Sequence, residues 1–238
     1  MIQFFAPEIS SCPILPESDS QHCIRVLRMG AGDEINVIDG KGRAYVCRIV
    51  DPHPKRALTE IISRREIPQP WPANLTVAVA PTKHIDRMEW LLEKLTEIGV
   101  NRFTPLLCRH SERKEIKSER MEKIAISAMK QSLKAALPQI DAMTPIAKFI
   151  DETAASGAQK FVAYCDNDTG RKNLAKELQP NRDTVILIGP EGDFSPEEIQ
   201  RAIAAGFVPV TLGDCRLRTE TAALAAAQTF HVINQLDQ

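Results

Sequence analysis

Two stretches of this 238-residue chain gather residue types that could bind and act on a ligand. Residues 189–192 read Gly-Pro-Glu-Gly, directly after the apolar run Val185-Ile186-Leu187-Ile188. Residues 212–222 read Leu-Gly-Asp-Cys-Arg-Leu-Arg-Thr-Glu-Thr-Ala, directly after a second extended run at Pro209 to Leu212. Gly189, Gly192 and Gly213 let backbone amides and carbonyls approach a ligand with no Cβ in the way. Neither stretch has the GxGxxG spacing of a dinucleotide loop or the terminal Gly-Lys-Ser/Thr of a phosphate loop. Backbone polar groups without a lysine or serine aimed at phosphates suit the edge of an adenine better. In the second stretch Arg216, Arg218 and Glu220 crowd a helix start, where the helix dipole disfavours a cation. Two readings stand side by side. The glycines are turn residues before a capped helix and the arginines point to solvent, or these are ligand loops with a cation held where charge develops.

The elements that would carry these loops are a mainly parallel sheet and its helices. Leu75–Ala80 (LTVAVA) is a buried strand pattern, and Met88, Leu91, Leu92, Leu95 and Ile98 recur at helical spacing until Gly99. Strand Phe103–Leu107, helices Ser118–Ala135 and Ile146–Ala155, strand Lys160–Cys165 and a short helix near Asn173–Leu178 follow. Ser195 is an N-cap, Pro196 fits N1 and Glu198 completes a capping box. Thr219 opens a last, alanine-rich helix. Strand alternating with helix implies a parallel sheet covered on both faces. Ligands in such sheets lie beyond the carboxyl ends of the strands, where both loops are.

Before this α/β part the pattern is β. Glu34–Ile38 alternates polar with apolar, Asp39-Gly40-Lys41-Gly42 is a turn, and Ala44–Val50 alternates again, which makes a hairpin. Ala57–Ile62 offers another strand, so residues 1–70 are expected to form a small β-barrel and residues 71–238 the α/β domain. Three prolines in Pro68-Gln69-Pro70-Trp71-Pro72 make the junction a stiff linker.

Composition narrows the classes. At 43% hydrophobic and 26% charged residues the chain is an ordinary globular protein. A net charge of −1 excludes a strongly basic coat, though not local basic patches. MIQFFAPEIS has no basic n-region or long apolar h-region, and Thr221–Leu236 falls short of a membrane span, so a cytoplasmic protein without membrane contact is expected. Cys12, Cys23, Cys47, Cys108, Cys165 and Cys215 show no metal spacing, so no metal site is expected.

Taken in order, the segments resemble the bacterial 16S ribosomal RNA uridine N3-methyltransferases of the SPOUT superfamily. The family's Gly-Pro-Glu-Gly-Gly-Phe-Ser stands here as Gly189-Pro190-Glu191-Gly192-Asp193-Phe194-Ser195. Its Leu-Gly-x-Arg-Ile-Leu-Arg-x-Glu-Thr-Ala stands as Leu212 to Ala222. Lys83 with Arg87-Met88-Glu89-Trp90 and Lys94, Glu97-Ile98-Gly99-Val100, Ser111-Glu112-Arg113, Gln131-Ser132, and His22 with Val26-Leu27-Arg28 also match. Two positions depart. Asp193 replaces the second glycine, so this loop is expected not to reach φ > 0 freely there. Cys215 replaces an arginine, with Arg216 one place later.

The resemblance implies an α/β fold with a C-terminal SPOUT-type trefoil knot, a PUA-like RNA-binding barrel in front, and methylation of N3 of uridine 1498 in 16S ribosomal RNA. It implies that Ile188, Gly189, Pro190, Glu191, Gly192, Leu212, Gly213, Leu217, Thr221 and Ala222 hold S-adenosylmethionine. Arg218 would stabilise charge on the uracil oxygens, and Glu220 would either orient Arg218 or take the N3 proton. Arg25, Arg28, Lys83, Arg109, Arg113 and Lys114 are the candidate RNA contacts; each basic cluster is either that or a solvated face. The partners expected are the small ribosomal subunit RNA and a second copy of the chain. In that homodimer the stripe Ala223, Ala226, Ala227, Phe230 and Ile233 would be the interface, its other use being to cover the parent sheet. A Rossmann-type methyltransferase is disfavoured, because Leu75–Ala80 leads into Pro81-Thr82-Lys83 and not a glycine-rich loop. A non-catalytic RNA-binding or ribosome-assembly protein is the rival outside enzymes.

Overall fold

The computed structural model describes residues 2–165 and 170–236, which fall into two compact units. One contains residues up to Pro70 together with Ala125–Leu137, and the other contains Trp71–Ile124 with the chain from Pro138 onward.

In the first unit, β1 (Gln3–Phe5), β2 (Glu34–Ile38), β3 (Arg43–Asp51) and β4 (Leu58–Glu66) form a sheet in that order. The hairpin strands β2 and β3 pair antiparallel, while β1 joins β2 in parallel. The alternation seen in sequence sends Ile35, Val37, Tyr45, Cys47 and Ile49 into one core with Phe4, Ile9, Leu15 and Ala57. An isolated bridge ties Ile14 to Leu58. Helix α1 (Glu17–Gln21) runs into a π-helical turn at His22–Val26, which leaves Arg25 and Val26 exposed.

The second unit contains β5 (Leu75–Val79), α2 (Ile85–Ile98), β6 (Arg102–Leu107) and α3 (Ser118–Gln131), the last half of which belongs to the first unit. It continues through β7 (Gln139–Ile140), β8 (Thr144–Pro145), α4 (Ile146–Ala154), β9 (Gln159–Ala163), β10 (Lys172–Asn173) and α5 (Leu174–Glu177). It ends with β11 (Thr184–Ile188), α6 (Pro196–Ala204), β12 (Val208–Thr211) and α7 (Thr219–Leu236). The sheet order is β10-β12-β9-β11-β5-β6-β7, with β8 also on β6 and every pairing parallel. Ile186–Ile188 of β11, Val77–Val79 of β5 and Phe161–Ala163 of β9 are apolar and buried on both faces, as central parallel strands are. Phe149, Phe161, Phe194 and Phe207 are all buried around them.

Helix ends follow local rules. Gly99 takes φ +119 to close α2, and α6 begins with the Ser195–Glu198 capping box and Pro196 in its first turn. The helix expected to reach Ala135 instead stops at Gln131, and Leu133 turns the chain at φ +57. The α7 stripe is spent inside the chain: Ala223, Ala226, Ala227 and Phe230 are at most 1% exposed. Small side chains let α7 lie close on α2, β5 and β11, and that use excludes these four residues from an interface between copies.

Candidate active site

Because β12, β9, β11 and β5 are adjacent and parallel, the loops that follow them leave one edge of the sheet together. After β11, Asp193 N–H donates to the Pro190 carbonyl at 2.9 Å and closes a tight turn. Asp193 stands at φ +62, the left-handed region expected to be hard to reach without glycine. Its carboxylate explains how the loop gets there: Oδ1 accepts from Phe194 N–H at 2.8 Å and Oδ2 from Cys165 N–H at 2.7 Å. The residue that departs from the family pattern thus fastens the loop after β11 to the chain just beyond β9.

Gly189 is buried, and a Cβ there would lie 3.2 Å from Phe194 N, Phe194 Cδ2 and Asp193 Oδ1. Its carbonyl accepts from Thr219 Oγ1 at 3.1 Å, which joins the loop after β11 to the first turn of α7. Between them, Gly213 takes φ +124 with open space where a Cβ would be, and Thr211 Oγ1 donates to its carbonyl at 2.9 Å. Ile188 and Pro190 are buried, Leu212, Leu217 and Ala222 are half-buried, and Glu191, Gly192 and Thr221 are exposed. Glu191 Oε1 accepts from Lys83 N–H at 3.0 Å. These loops therefore offer apolar side chains beside backbone polar groups.

The two candidate catalytic side chains are not paired with each other. Arg218 is exposed, and among the described residues its guanidinium has no hydrogen bond or ion pair. Glu220 is buried and reaches Arg87 of α2, Oε1 to Nη1 at 3.7 Å, while its Oε2 is buried without a hydrogen-bond partner. Arg218 lies just before α7, and the partner that Glu220 meets is Arg87 of α2. Arg87 was visible only as part of a matching segment. Nothing in the sequence assigned it this contact.

The basic candidates are dispersed. Arg113 is clamped inward, Nη2 donating to the Lys83 carbonyl at 2.7 Å and Nε to that of Thr82 at 3.3 Å. Lys83 pairs with Glu112 at 3.1 Å and Arg109 with Glu197 at 3.1 Å, both on the surface. Lys114 is exposed, as are Arg25 and Arg28 in the other unit, where Arg28 takes φ +56. His110, which in sequence is one member of the basic loop from Arg109 to Lys114, lies with its ring against the loop after β11, a contact no spacing announces.

Comparison with known proteins places these features in one family. The RNA methyltransferase domain matches residues 69–231 and the RNA methyltransferase PUA domain residues 15–62. The ribosomal RNA small subunit methyltransferase E of Synechocystis is 32% identical over 96% of this chain and 76% of its own. A probable rRNA-methyltransferase from Porphyromonas gingivalis is 44% identical, with all of both chains covered and a TM-score of 0.94. A ribosomal RNA small subunit methyltransferase E from Neisseria gonorrhoeae, solved bound to S-adenosyl methionine, is 30% identical over 98% of each chain, with a TM-score of 0.86.

Proposed function

The chain belongs to the ribosomal RNA small subunit methyltransferase E family, and on that premise we propose that it methylates N3 of one uridine of 16S ribosomal RNA with S-adenosylmethionine. The observation that carries this reading is the Thr219–Gly189 bond, which brings two glycine-bearing loops from non-adjacent strands to one place. S-adenosylmethionine would be held by Ile188 to Gly192, Leu212, Gly213, Leu217, Thr221 and Ala222, and when bound it supplies an electrophilic methyl on a sulfonium. A neutral uracil N3 has no available lone pair, so its proton must leave. Glu220 has a buried oxygen without a partner, fit to accept an N–H. Arg87 offsets the charge of Glu220 from one side. Arg218, without a hydrogen bond or ion pair among the described residues, would meet negative charge on O2 or O4.

The finer architecture belongs to the same proposal. β11 and β12 lie on opposite sides of β9, so the chain between them crosses that strand. A trefoil knot of the SPOUT type accounts for that order, with the segment before α7 threaded beside Gly189. A homodimer remains part of the reading, but with a different surface from the alanine stripe. Trp90 on α2 and Val232 and Leu236 on α7 stay exposed, at 44%, 39% and 79%. An apolar helix with such residues on its outer side suits burial by a second copy.

Mass spectrometry of 16S ribosomal RNA from cells with and without the gene tests the reaction. A methyl lost from one uridine, and restored in vitro by the purified protein with S-adenosylmethionine, is the expected result. Protein that binds RNA but neither binds S-adenosylmethionine nor transfers a methyl would overturn the enzyme in favour of a ribosome-assembly factor.

A further inference from the structure

The loop after β6 reaches across to the loop after β11 through one side chain. His110 Nδ1 lies 3.1 Å from the Gly192 carbonyl oxygen and 3.0 Å from that of Asp193. Both oxygens can only accept, so Nδ1 must carry the hydrogen and share it between them. The approach is close, since a Cβ on Gly192 would come within 3.1 Å of His110 Cβ. Three contacts fix the base from which the ring reaches. Cys108 and Ser111 exchange bonds, Ser111 N–H to the Cys108 carbonyl at 3.1 Å and Cys108 N–H to Ser111 Oγ at 3.0 Å. Arg109 N–H donates to Glu198 Oε1 at 2.8 Å, the carboxylate whose Oε2 caps α6. Arg113 holds the Thr82 and Lys83 carbonyls.

We propose that His110 is a positioning residue for S-adenosylmethionine binding: its Nδ1–H pins the carbonyls of Gly192 and Asp193 and holds the loop after β11 in its binding shape. This rests on the assignment of that loop to the cofactor. Asp193 is held in the left-handed region by contacts on both sides, its carboxylate on β9 and its carbonyl on His110. Without the ring, one of those two ties is gone and the loop samples other turns. The same segment carries Arg109 and Lys114, so the latch also links the candidate RNA surface to the cofactor loop.

The test compares wild type with His110→Ala and His110→Asn. An asparagine amide nitrogen stands as many bonds from Cα as Nδ1 does and can donate to the same carbonyls. Titration calorimetry with S-adenosylmethionine is expected to show a Kd raised about three- to tenfold in His110→Ala, the value of one net hydrogen bond, and largely restored in His110→Asn. Turnover at saturating cofactor should stay within about twofold, since the ring touches neither reacting group. Hydrogen exchange without any ligand should speed up at residues 192–195 in His110→Ala only. Unchanged Kd and exchange in His110→Ala, or an asparagine as weak as alanine, would overturn the proposal. Wild-type protein that binds no S-adenosylmethionine would defeat the enzyme reading, while the exchange comparison still decides whether the latch exists.

Discussion

Glu220 faces Arg87 at 3.7 Å, while Arg218, two residues before it, extends into solvent without a partner among the described residues. The two side chains that sequence reasoning treated as a pair thus have separate surroundings and separable roles. Arg218→Ala should reduce turnover by about 10²-fold or more, the usual loss when a donor to a developing oxyanion is removed. Cofactor affinity should move little, because the Arg218 side chain has no hydrogen bond or ion pair among the described residues, and the bond its carbonyl accepts from Ala222 N–H is kept by alanine. Glu220→Gln keeps the size but loses an acceptor, and its loss in single-turnover rate should be about 10² or greater if it takes the N3 proton. Single-turnover kinetics beside calorimetric Kd values separates the cases; equal losses in rate and affinity for Arg218→Ala would make it a cofactor contact.

Gly189→Val should weaken S-adenosylmethionine binding by about tenfold or more, with the fold retained by circular dichroism. The reason is space: even a bare Cβ would meet the Phe194 backbone nitrogen at 3.2 Å, and valine adds two methyls. The loop would have to shift, and the carbonyl that Thr219 holds would shift with it. Undiminished affinity in a folded Gly189→Val protein would remove this loop from the cofactor site.

What could be read from sequence was whatever is local. The Ser195–Glu198 capping box, the Gly99 stop and the hairpin of Glu34–Ile38 with Ala44–Val50 each depend on a few neighbouring residues, and each stands in the structure, the second hairpin strand one residue longer at either end. The two-residue strands β7, β8 and β10 are too short to show a period, so they were invisible. Helical spacing in α7 announced a buried face but could not say what buries it, and the sheet of the same chain does. The contacts of Glu220 with Arg87, and of His110 with Gly192, join residues 133 and 82 apart in sequence (220 − 87 and 192 − 110), which no spacing rule reaches.

Asp193 allows two local effects to be weighed. Glycine there would relieve a left-handed residue, about 1–2 kcal/mol for most side chains and less for aspartate. It would also remove a carboxylate that accepts two backbone N–H bonds, each worth about 1.5–3 kcal/mol to a charged acceptor. The bonds outweigh the strain, so Asp193→Gly should be less stable than wild type, and Asp193→Ala, which keeps the strain and loses the bonds, less stable again. A domain of this size loses roughly 2–4 °C in Tm per kcal/mol. Thermal melts in the order wild type, glycine, alanine are expected; a glycine variant that melts higher than wild type would show that strain dominates.

The six cysteines should separate into two classes that also report on the site. Cys12, Cys165 and Cys215 are exposed; Cys23, Cys47 and Cys108 are buried. Burial pushes the thiols of Cys23 and Cys47 up from 9.0 to about 11, Asp33 and Asp19 adding to the effect at Cys23, and it pushes Cys108 higher still. Only a thiolate attacks a disulfide reagent, so a raised pKa means less of the reactive form at any pH below it. Near pH 8 the three buried thiols should therefore react only after denaturation, while a reagent reaches the three exposed ones directly. Two of the exposed thiols stand at the candidate site. Cys165 follows β9 and gives its N–H to Asp193, and Cys215 lies between Gly213 and Leu217. Cys12 belongs to the other unit and serves as the internal control. Saturating S-adenosylmethionine should therefore slow labelling of Cys165 and Cys215 and leave Cys12 unchanged, as followed by mass spectrometry of tryptic peptides. Equal slowing of all three, or protection of Cys12 alone, would place the ligand elsewhere than the loops after β9, β11 and β12.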